Sequence, residues 1–138
     1  MGFRGYISSR QFGAQRVPQH IQNLVIRDYC KRREINYLLS ATELAMPETY
    51  IMLAQLREQV DEIDGVVFYS IEQLPTEDRD RSEFFSRMIS TGRRCYFSVE
   101  DLCVHDSESL QKLEQVLCIK QVMSACLSTE TLKSVETN

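Results

Sequence analysis

The residues best suited to chemistry in this sequence stand directly after its predicted strands. They are polar and charged side chains at the ends of the first three strands and in the loop and helix start after the first: Ser8, Ser9, Arg10, Arg16, Gln19, His20, Ser40, Glu43, Tyr69 and Glu72. The carboxyl ends of parallel strands meet at one edge of a sheet, where open α/β folds bind their ligands. We therefore expect these side chains to line one site.

Two arginines predict that the ligand carries negative charge. Arg10 and Arg16 supply fixed positive charge and fork-shaped donors that suit a phosphate or a carboxylate. The first predicted helix begins beside them, and its free backbone N–H groups favour an anion in the same place. We assign substrate binding to the two arginines and to Ser8, Gln19, Ser40, Tyr69 and Glu72.

Proton transfer in this set is assigned to Glu43 and His20. A histidine exchanges protons near neutral pH, and a glutamate acts as acid or base where burial raises its pKa. Ser9 is the third catalytic candidate, because a serine beside a base becomes a nucleophile. A simpler alternative stays open, since strand ends face water and their polar residues are commonly solvated.

Strands and helices alternate along the chain and would position these residues. The predicted strands lie near residues 3–9, 35–40, 66–69 and 94–99, and a helix follows each of them. In the first helix, Ile21, Leu24, Val25 and Tyr29 recur at helical spacing. The pattern predicts an α/β fold of three layers, with a mostly parallel four-stranded sheet. We expect one domain over residues 1–127 and a flexible polar tail over 128–138.

Charge is unevenly distributed, although the net value is only −4. Residues 1–33 hold seven basic side chains and one acidic, whereas the rest of the chain holds nine basic and nineteen acidic. An acidic chain with a basic first third argues against broad nucleic-acid binding and favours a local anion site.

The sequence predicts no metal, cofactor or membrane partner. It lacks the glycine-rich phosphate loops, the G-x-S-x-G turn and the H-E-x-x-H pattern. Its two histidines and five cysteines without C-x-x-C spacing do not form a metal motif, and the thiols are expected to be free and buried. No apolar run approaches the roughly 20 residues of a membrane span, and no signal core follows Arg4. We expect a cytoplasmic location.

Two segments resemble the catalytic domain of serine recombinases, the resolvases and invertases, over roughly residues 5–102. Residues 22–30 resemble the first helix of that family, which opens with glutamine and carries Tyr-Cys in its third turn. Residues 64–69 resemble the strand before the family's Asp-Arg-Leu-x-Arg motif. The resemblance implies a flavodoxin-like, resolvase-like topology.

The sequence departs from this family where recombination chemistry is carried out. The Asp-Arg-Leu-Gly-Arg segment falls on residues 72–76, Glu-Gln-Leu-Pro-Thr, so both arginines are absent, and another family arginine falls on Met46. The family's nucleophilic serine falls on Arg10, or on Ser9 if the alignment slips by one residue. Since phosphoryl transfer between DNA strands needs those cations, we expect no recombinase activity.

Three longer motifs are similar to a small family of bacterial "sporadic carbohydrate cluster" proteins. They cover residues 4–10, 16–23 and 38–47, and each lies at a strand end selected above from topology. Members of this family tend to be encoded among genes for surface-saccharide or unusual-sugar biosynthesis. The resemblance implies a sugar-derived ligand and leaves the reaction open.

These features predict a small cofactor-independent enzyme that acts on an anionic sugar-derived metabolite, as an isomerase, epimerase, lyase or hydrolase. The alternative is a non-catalytic sugar-phosphate-binding or accessory module on a resolvase fold that has lost catalysis. The last helix has apolar residues on more than one face, which predicts a homo-oligomer; these residues are Leu110, Leu113, Leu117, Ile119, Val122 and Met123.

Overall fold

Five strands and four α-helices make up the part of the chain that the structure describes. The computed structural model describes the backbone of residues 2–8, 17–43, 51–75 and 77–137, and the side chains of these residues other than 40–43, 51–52 and 124–137. The elements in chain order are β1 (Phe3–Ser8), α1 (Gln19–Arg32), β2 (Tyr37–Glu43), α2 (Ile51–Glu58), β3 (Gly65–Phe68), α3 (Asp78–Ser90), β4 (Arg94–Phe97), β5 (Leu102–Val104) and α4 (Ser107–Thr137). Two short 3₁₀ turns, Val60–Glu62 and Ile71–Gln73, flank β3.

The sheet has the order β2-β1-β3-β4-β5, and its first four strands are parallel. This is the flavodoxin-like order, so the predicted α/β class and mostly parallel sheet are confirmed. The prediction of four strands is wrong by one, because β5 pairs antiparallel with β4 in a segment for which the sequence predicts no strand. Its three residues are too few to show strand periodicity in the sequence.

Apolar side chains fill both sides of the sheet. On the side of α2, α3 and α4 the core includes Tyr6, Phe68 and Phe97, and the last two rings stack with centroids 4.9 Å apart. On the other side, Ile7 and Val67 pack against α1. Because strand residues alternate between faces, neighbours such as Tyr6 and Ile7 serve opposite layers.

The buried face of α1 differs from the predicted one. Ile21 and Leu24 are exposed, and the buried face is formed instead by Gln22, Ile26 and Tyr29 together with Cys30. The spacing is helical in both cases, but the true face begins with a polar residue. Because a hydrophobic pattern omits glutamine, the predicted buried face is rotated around the helix axis relative to the observed one.

The turn between β4 and β5 joins the two helical layers through consecutive acids. The Glu100 carboxylate accepts hydrogen bonds from the Ile71 N–H and from the Ser70 hydroxyl, after β3. Asp101 accepts one from the Tyr29 hydroxyl of α1 at 3.0 Å. Asp101 also pairs with Arg33, just after α1. Asp101 has φ +54°, a left-handed conformation that aspartate adopts more readily than most residues.

α4 is the longest of the described helices. α4 continues through Thr137, so its backbone includes most of the segment predicted as a tail over residues 128–138. Its first turns pack on the core through Leu113 and are held by an ion pair between Glu114 and Arg81 of α3. That residues 1–127 form a single domain stays a prediction.

Candidate functional site

The candidate site lies where β1 and β3 end side by side. After β1 ends at Ser8, the chain crosses to β2 on one side of the sheet. After β3 ends at Phe68, it continues to β4 on the other side, so the connections that follow these two neighbouring strands run in opposite directions. This divergence is the switch point of an open α/β sheet, where ligands commonly bind. We call the polar groups located there the switch-point cluster: Ser8, Gln22, Ser70, Gln73 and Glu100.

Gln22 binds both backbone groups of Ser8. Its Oε1 accepts a hydrogen bond from the Ser8 N–H at 2.9 Å, and its Nε2 donates to the Ser8 carbonyl at 2.8 Å. The amide of Gln22 therefore takes the place of a neighbouring peptide group beyond the end of β3. The same Nε2 donates to the carbonyl of Val17 at 2.7 Å, so one side chain binds the residues on both sides of segment 9–16.

Gln73 connects this arrangement to the next strand. Its Nε2 donates to Gln22 Oε1 at 2.9 Å and to the Ser8 hydroxyl at 3.4 Å. Its Oε1 accepts from the backbone N–H groups of Tyr69 and Ser70, directly after β3. Both glutamines are almost completely buried, and hydrogen bonding of this kind offsets the cost of burying their amides.

A carboxylate completes the cluster on the side of β4. The Ser70 hydroxyl donates to Glu100 Oε2 at 2.8 Å, and the Ile71 N–H donates to Glu100 Oε1 at 3.0 Å. Ser70 also forms a capping box with Gln73 on the Ile71–Gln73 turn. Lys120 of α4 lies 3.7 Å from Glu100 Oε2 and 3.9 Å from Glu72 Oε1. The Lys120 ammonium group therefore faces two carboxylates at this edge.

The hydrogen bonds of the switch-point cluster hold the ends of β1 and β3 in place. The Ser8 side chain is buried, and the contact described for its hydroxyl is with the amide of Gln73, which cannot take up its proton. The Glu100 carboxylate is engaged by two donors and by Lys120. The geometry fixes the directions in which β1 and β3 leave the sheet.

An open depression lies beside the cluster, at the start of α1. Ile7, Gln19, His20 and Asn23 line it, and its volume is about 520 Å³. The imidazole of His20 and the amide of Gln19 are exposed there, whereas Asn23 accepts a hydrogen bond from the Tyr37 hydroxyl at 2.8 Å. The described lining offers hydrogen-bond donors and acceptors, which suit hydroxyl groups.

The structure brings part of the predicted residue set together. The depression contains Gln19 and His20, and the cluster contains Ser8. In the sheet register Ser8 is the partner of Glu43, and Gly5 is the partner of Ser40, so the backbones of these predicted residues lie next to β1. Three other predicted residues, Ser9, Arg10 and Arg16, lie outside the described residues, as does Met46.

Two predicted ligand-binding residues have other described contacts. The backbone of Tyr69 donates to Gln73 and accepts a hydrogen bond from the Ser98 hydroxyl, while its side chain packs towards α1. Glu72 lies beside Lys120. Their part in binding stays a prediction.

Sequence reasoning assigned no site role to Gln22, Gln73 or Lys120. Gln73 stands among the polar residues that follow the third strand, and Gln22 opens the segment that resembles the recombinase first helix. Both positions could have been selected for that reason. Lys120 lies far along α4, and nothing in its local sequence indicates that it reaches the sheet edge.

Two further observations concern the described ranges alone. No three His, Cys, Asp or Glu residues in them are grouped so that they could hold a metal ion. Among the helices of the same ranges, none has both the length and the hydrophobicity to cross a lipid bilayer.

Comparison with known proteins shows similarity of fold. A resolvase family site-specific recombinase from Streptococcus pneumoniae superposes with a TM-score of 0.63 at 11% identity, covering 99% of each chain. The N-terminal catalytic domain of TP901-1 integrase superposes with a TM-score of 0.59 at 10% identity, covering 89% of this chain and 98% of that one. No family model and no curated protein sequence matches this chain. The expected resolvase-like fold is confirmed.

Proposed function

We propose that this chain is a non-catalytic binding module on a resolvase-like fold, and that it holds a small, hydroxyl-rich, anionic ligand of the sugar-phosphate class. The observation that carries the proposal is the state of the switch point. Among the described residues, its buried polar groups are hydrogen-bonded to one another, and the Ser8 hydroxyl accepts from the amide of Gln73. A site that is built to bind needs these fixed strand ends but no activated nucleophile.

The polar side chains that line the depression support the hydroxyl-rich part of the ligand. Gln19 and His20 present exposed donors and acceptors at the start of α1. The anionic part rests on the sequence prediction for Arg10 and Arg16, and the sugar class rests on the three motifs that resemble the sporadic carbohydrate cluster proteins. The cytoplasmic location and the absence of cofactor, nucleic-acid and membrane partners stay predictions of the sequence.

The test is a thermal-unfolding screen against sugar phosphates and nucleotide sugars. A true ligand at a hundredfold excess over its Kd stabilises the folded chain by about 2.7 kcal/mol. We expect Gln19→Ala and His20→Ala to weaken this effect, and Gln115→Ala, on the exposed face of α4, to leave it unchanged. NMR spectra of the ligand should show no conversion. Stabilisation that is equal in all three variants would contradict the assigned location.

The enzyme predicted from the sequence is the second candidate, and the strand register favours it. Because Ser8 and Glu43 are backbone partners, Glu43 belongs to the same edge as the depression with His20. In this alternative Glu43 and His20 transfer protons, and Ser9 serves as nucleophile. Time-dependent conversion of a screened ligand, lost in Glu43→Gln and His20→Asn, would establish it and reject the binding module.

We also propose that the chain self-associates through α4. Ile119, Val122 and Met123 are each more than half exposed on this helix. A cluster of large apolar side chains on one exposed helix is typical of an interaction surface. Sedimentation should therefore show a dimer that Val122→Glu disrupts, whereas Gln111→Glu, on an earlier turn of α4, should not alter the mass. A monomer at all concentrations would exclude this interface.

A further inference from the structure

A cleft lies between α2 and α3, on the side of the sheet opposite α1, and its volume is about 280 Å³. Its described lining is largely apolar. Leu53 and Phe84 are nearly fully buried in the core, Ala54 and Pro75 line the cleft beside them, and Asp80 adds a carboxylate. Pockets with apolar walls and a few polar groups are the usual sites of small-molecule binding. Because the volume is small, the cleft suits a single ring better than a long alkyl chain.

An open, basic depression adjoins this cleft. Arg57 of α2 and Glu83 of α3 line both cavities. The depression is also lined by four residues that recur at helical spacing on one face of α3; they are Arg79, Ser82, Ser86 and Arg87. Two helices thus bring three arginines to one place, and we call Arg57, Arg79 and Arg87 the arginine patch.

The arginine patch carries more positive charge than its described partners balance. Glu83 is shared, since its Oε2 lies 3.5 Å from Arg57 Nη1 and its Oε1 lies 3.4 Å from Arg79 Nε. Both distances are long, because charge-assisted hydrogen bonds are normally about 2.7–2.9 Å. Glu58 is mostly exposed and lies 4.0 Å from Arg57. Among the described side chains, Arg87 forms no ion pair. In the depression itself, three arginines therefore face one carboxylate.

We propose that the cleft and the arginine patch form a second binding site, which takes an aryl phosphate, a small phosphate monoester on an aromatic ring. A phosphate monoester carries a charge of about −1.5 to −2 at pH 7, which matches the excess of positive charge in the depression. The phosphate displaces Glu83 from Arg57 and Arg79, and its oxygens accept hydrogen bonds from the fork-shaped guanidinium donors. The ring enters the cleft against Phe84.

This site goes beyond the proposed function in both place and ligand. It lies on the other side of the sheet from the depression at the start of α1. Its ligand has an apolar ring where the ligand of the proposed function has sugar hydroxyl groups. The two sites therefore answer to different probes and different variants.

The test is an NMR titration of the whole chain with phenyl phosphate. Inorganic phosphate tests the charge without the ring, and benzyl alcohol tests the ring without the charge. We expect phenyl phosphate to shift the amide resonances of Ser82, Ser86 and Arg87 until they saturate, and inorganic phosphate to bind there with about fivefold weaker affinity. Benzyl alcohol at about 10 mM should not shift them. No saturable shift from phenyl phosphate, or equal affinity for phenyl phosphate and inorganic phosphate, would overturn the proposal.

Two pairs of variants test the position of the charge. Arg87→Gln should weaken phenyl phosphate binding about fivefold, whereas Arg32→Gln removes an exposed arginine of α1 and should not change it. Glu83→Gln should strengthen binding about threefold, because the phosphate no longer competes with this carboxylate for Arg57. Glu108→Gln makes the same change of net charge at the start of α4 and should have no effect. Equal effects within either pair would show that net charge alone attracts the anion, and the site would be rejected.

The position of the ring is tested by enlarging Ala54, which is exposed and lines the cleft. Ala54→Leu should lower the affinity for phenyl phosphate to that for inorganic phosphate, and an unchanged preference for phenyl phosphate would contradict the assigned position. His20→Ala separates this site from the proposed function, because it should leave the shift of the Ser86 resonance intact. If the screened sugar phosphates do not bind at the start of α1 while phenyl phosphate still shifts Ser86, this site holds and the proposed function fails.

Discussion

The Arg81 guanidinium group of α3 forms two hydrogen bonds with the carboxylate of Glu114 of α4, at 3.1 and 2.9 Å. Arg81 is only 5% exposed and also donates to the Pro75 carbonyl at 2.8 Å. The hydrogen bond to Glu114 is the main reason why the pKa of Arg81 is raised. This pair therefore joins the last helix to the body of the domain with a fixed orientation.

Replacing Arg81 by methionine should lower the free energy of unfolding by about 2 kcal/mol. Breaking a fully buried ion pair costs about 3–5 kcal/mol, and the smaller figure reflects the partial exposure of Glu114. Urea unfolding measures the change. The control is Arg79→Met, because Arg79 is exposed and pairs only at the surface with Glu83, and its effect should stay below about 0.5 kcal/mol. Equal effects would refute the structural role of the pair.

Replacing Gln22 by leucine should destabilise the fold by about 3 kcal/mol. The substitution leaves the buried N–H and carbonyl groups of Ser8 without these partners, at about 1–3 kcal/mol for each unsatisfied group. Chemical denaturation provides the measurement, with Gln19→Leu in the exposed first turn as the control. If both leucine variants unfold at the same denaturant concentration, the amide of Gln22 does not support the strand ends.

Gly65 should not tolerate a methyl group. A Cβ there would lie 1.9 Å from the carbonyl oxygen of Arg94, its partner in the β3–β4 register, and 2.6 Å from the ring of Phe3. Since the closest atom belongs to backbone, relief requires the strands to separate, and we expect Gly65→Ala to cost about 3 kcal/mol or more. Thermal unfolding should show a much larger loss than for Gly92→Ala.

Gly92 is the control for Gly65, because an alanine at Gly92 must adopt a backbone conformation that it disfavours but meets no neighbouring atoms. Its φ is +73°, and open space surrounds the position of a Cβ. An alanine there meets only the conformational penalty of the left-handed region, about 1 kcal/mol. A smaller loss in Gly65→Ala than in Gly92→Ala would show that β3 and β4 are not in close contact at this point.

Stability should fall in alkaline solution, partly because of Cys30. Burial raises the pKa of this thiol from 9.0 to about 11. Between about pH 9 and 11 the unfolded chain loses a proton that the folded chain keeps, so this contribution is complete below pH 9 and declines as pH rises through the window. Cys30→Ala should reduce the decline by roughly 2 kcal/mol.

The measurement is urea unfolding at intervals between pH 8 and 11. Tyr29, whose pKa burial and the bond to Asp101 raise to about 12, continues the decline with the same sign, so the Cys30→Ala curve becomes shallower rather than flat. The Cys30→Ala curve is compared with that of the unchanged chain over the same pH interval. A Cys30→Ala curve parallel to that of the unchanged chain would contradict the buried state of this thiol. Cys118 is exposed, so the sequence prediction of buried thiols is wrong for this cysteine.

The fold was predictable from the sequence wherever apolar residues alone define an element. Val66 and Val67 mark β3, and helical spacing marks α3 through Phe84, Phe85 and Met88, all of which the structure buries. Prediction failed where polar groups take part in packing. The buried face of α1 begins with Gln22, and its burial depends on partners from β1 and from the Ile71–Gln73 turn, which are distant in the sequence.

The candidate site was predictable in position rather than in composition. Strand ends indicated the edge at which Ser8, Gln19 and His20 lie. No sequence periodicity reveals that Gln22 and Gln73 bind each other. None reveals that Lys120 lies beside Glu100. The convergence of Ser9 and Arg16 on this edge stays a prediction.

The consecutive acids of the β4–β5 turn constrain the evolution of the loop that carries them. Glu100 belongs to one layer and Asp101 to the other, so inserting or deleting one residue before them would present each carboxylate to the wrong set of donors. Substitutions that keep an acceptor at both positions are compatible with this arrangement, but a change of length is not. Among chains that share this architecture, the spacing between β4 and β5 should vary less than the identity of the residues within it.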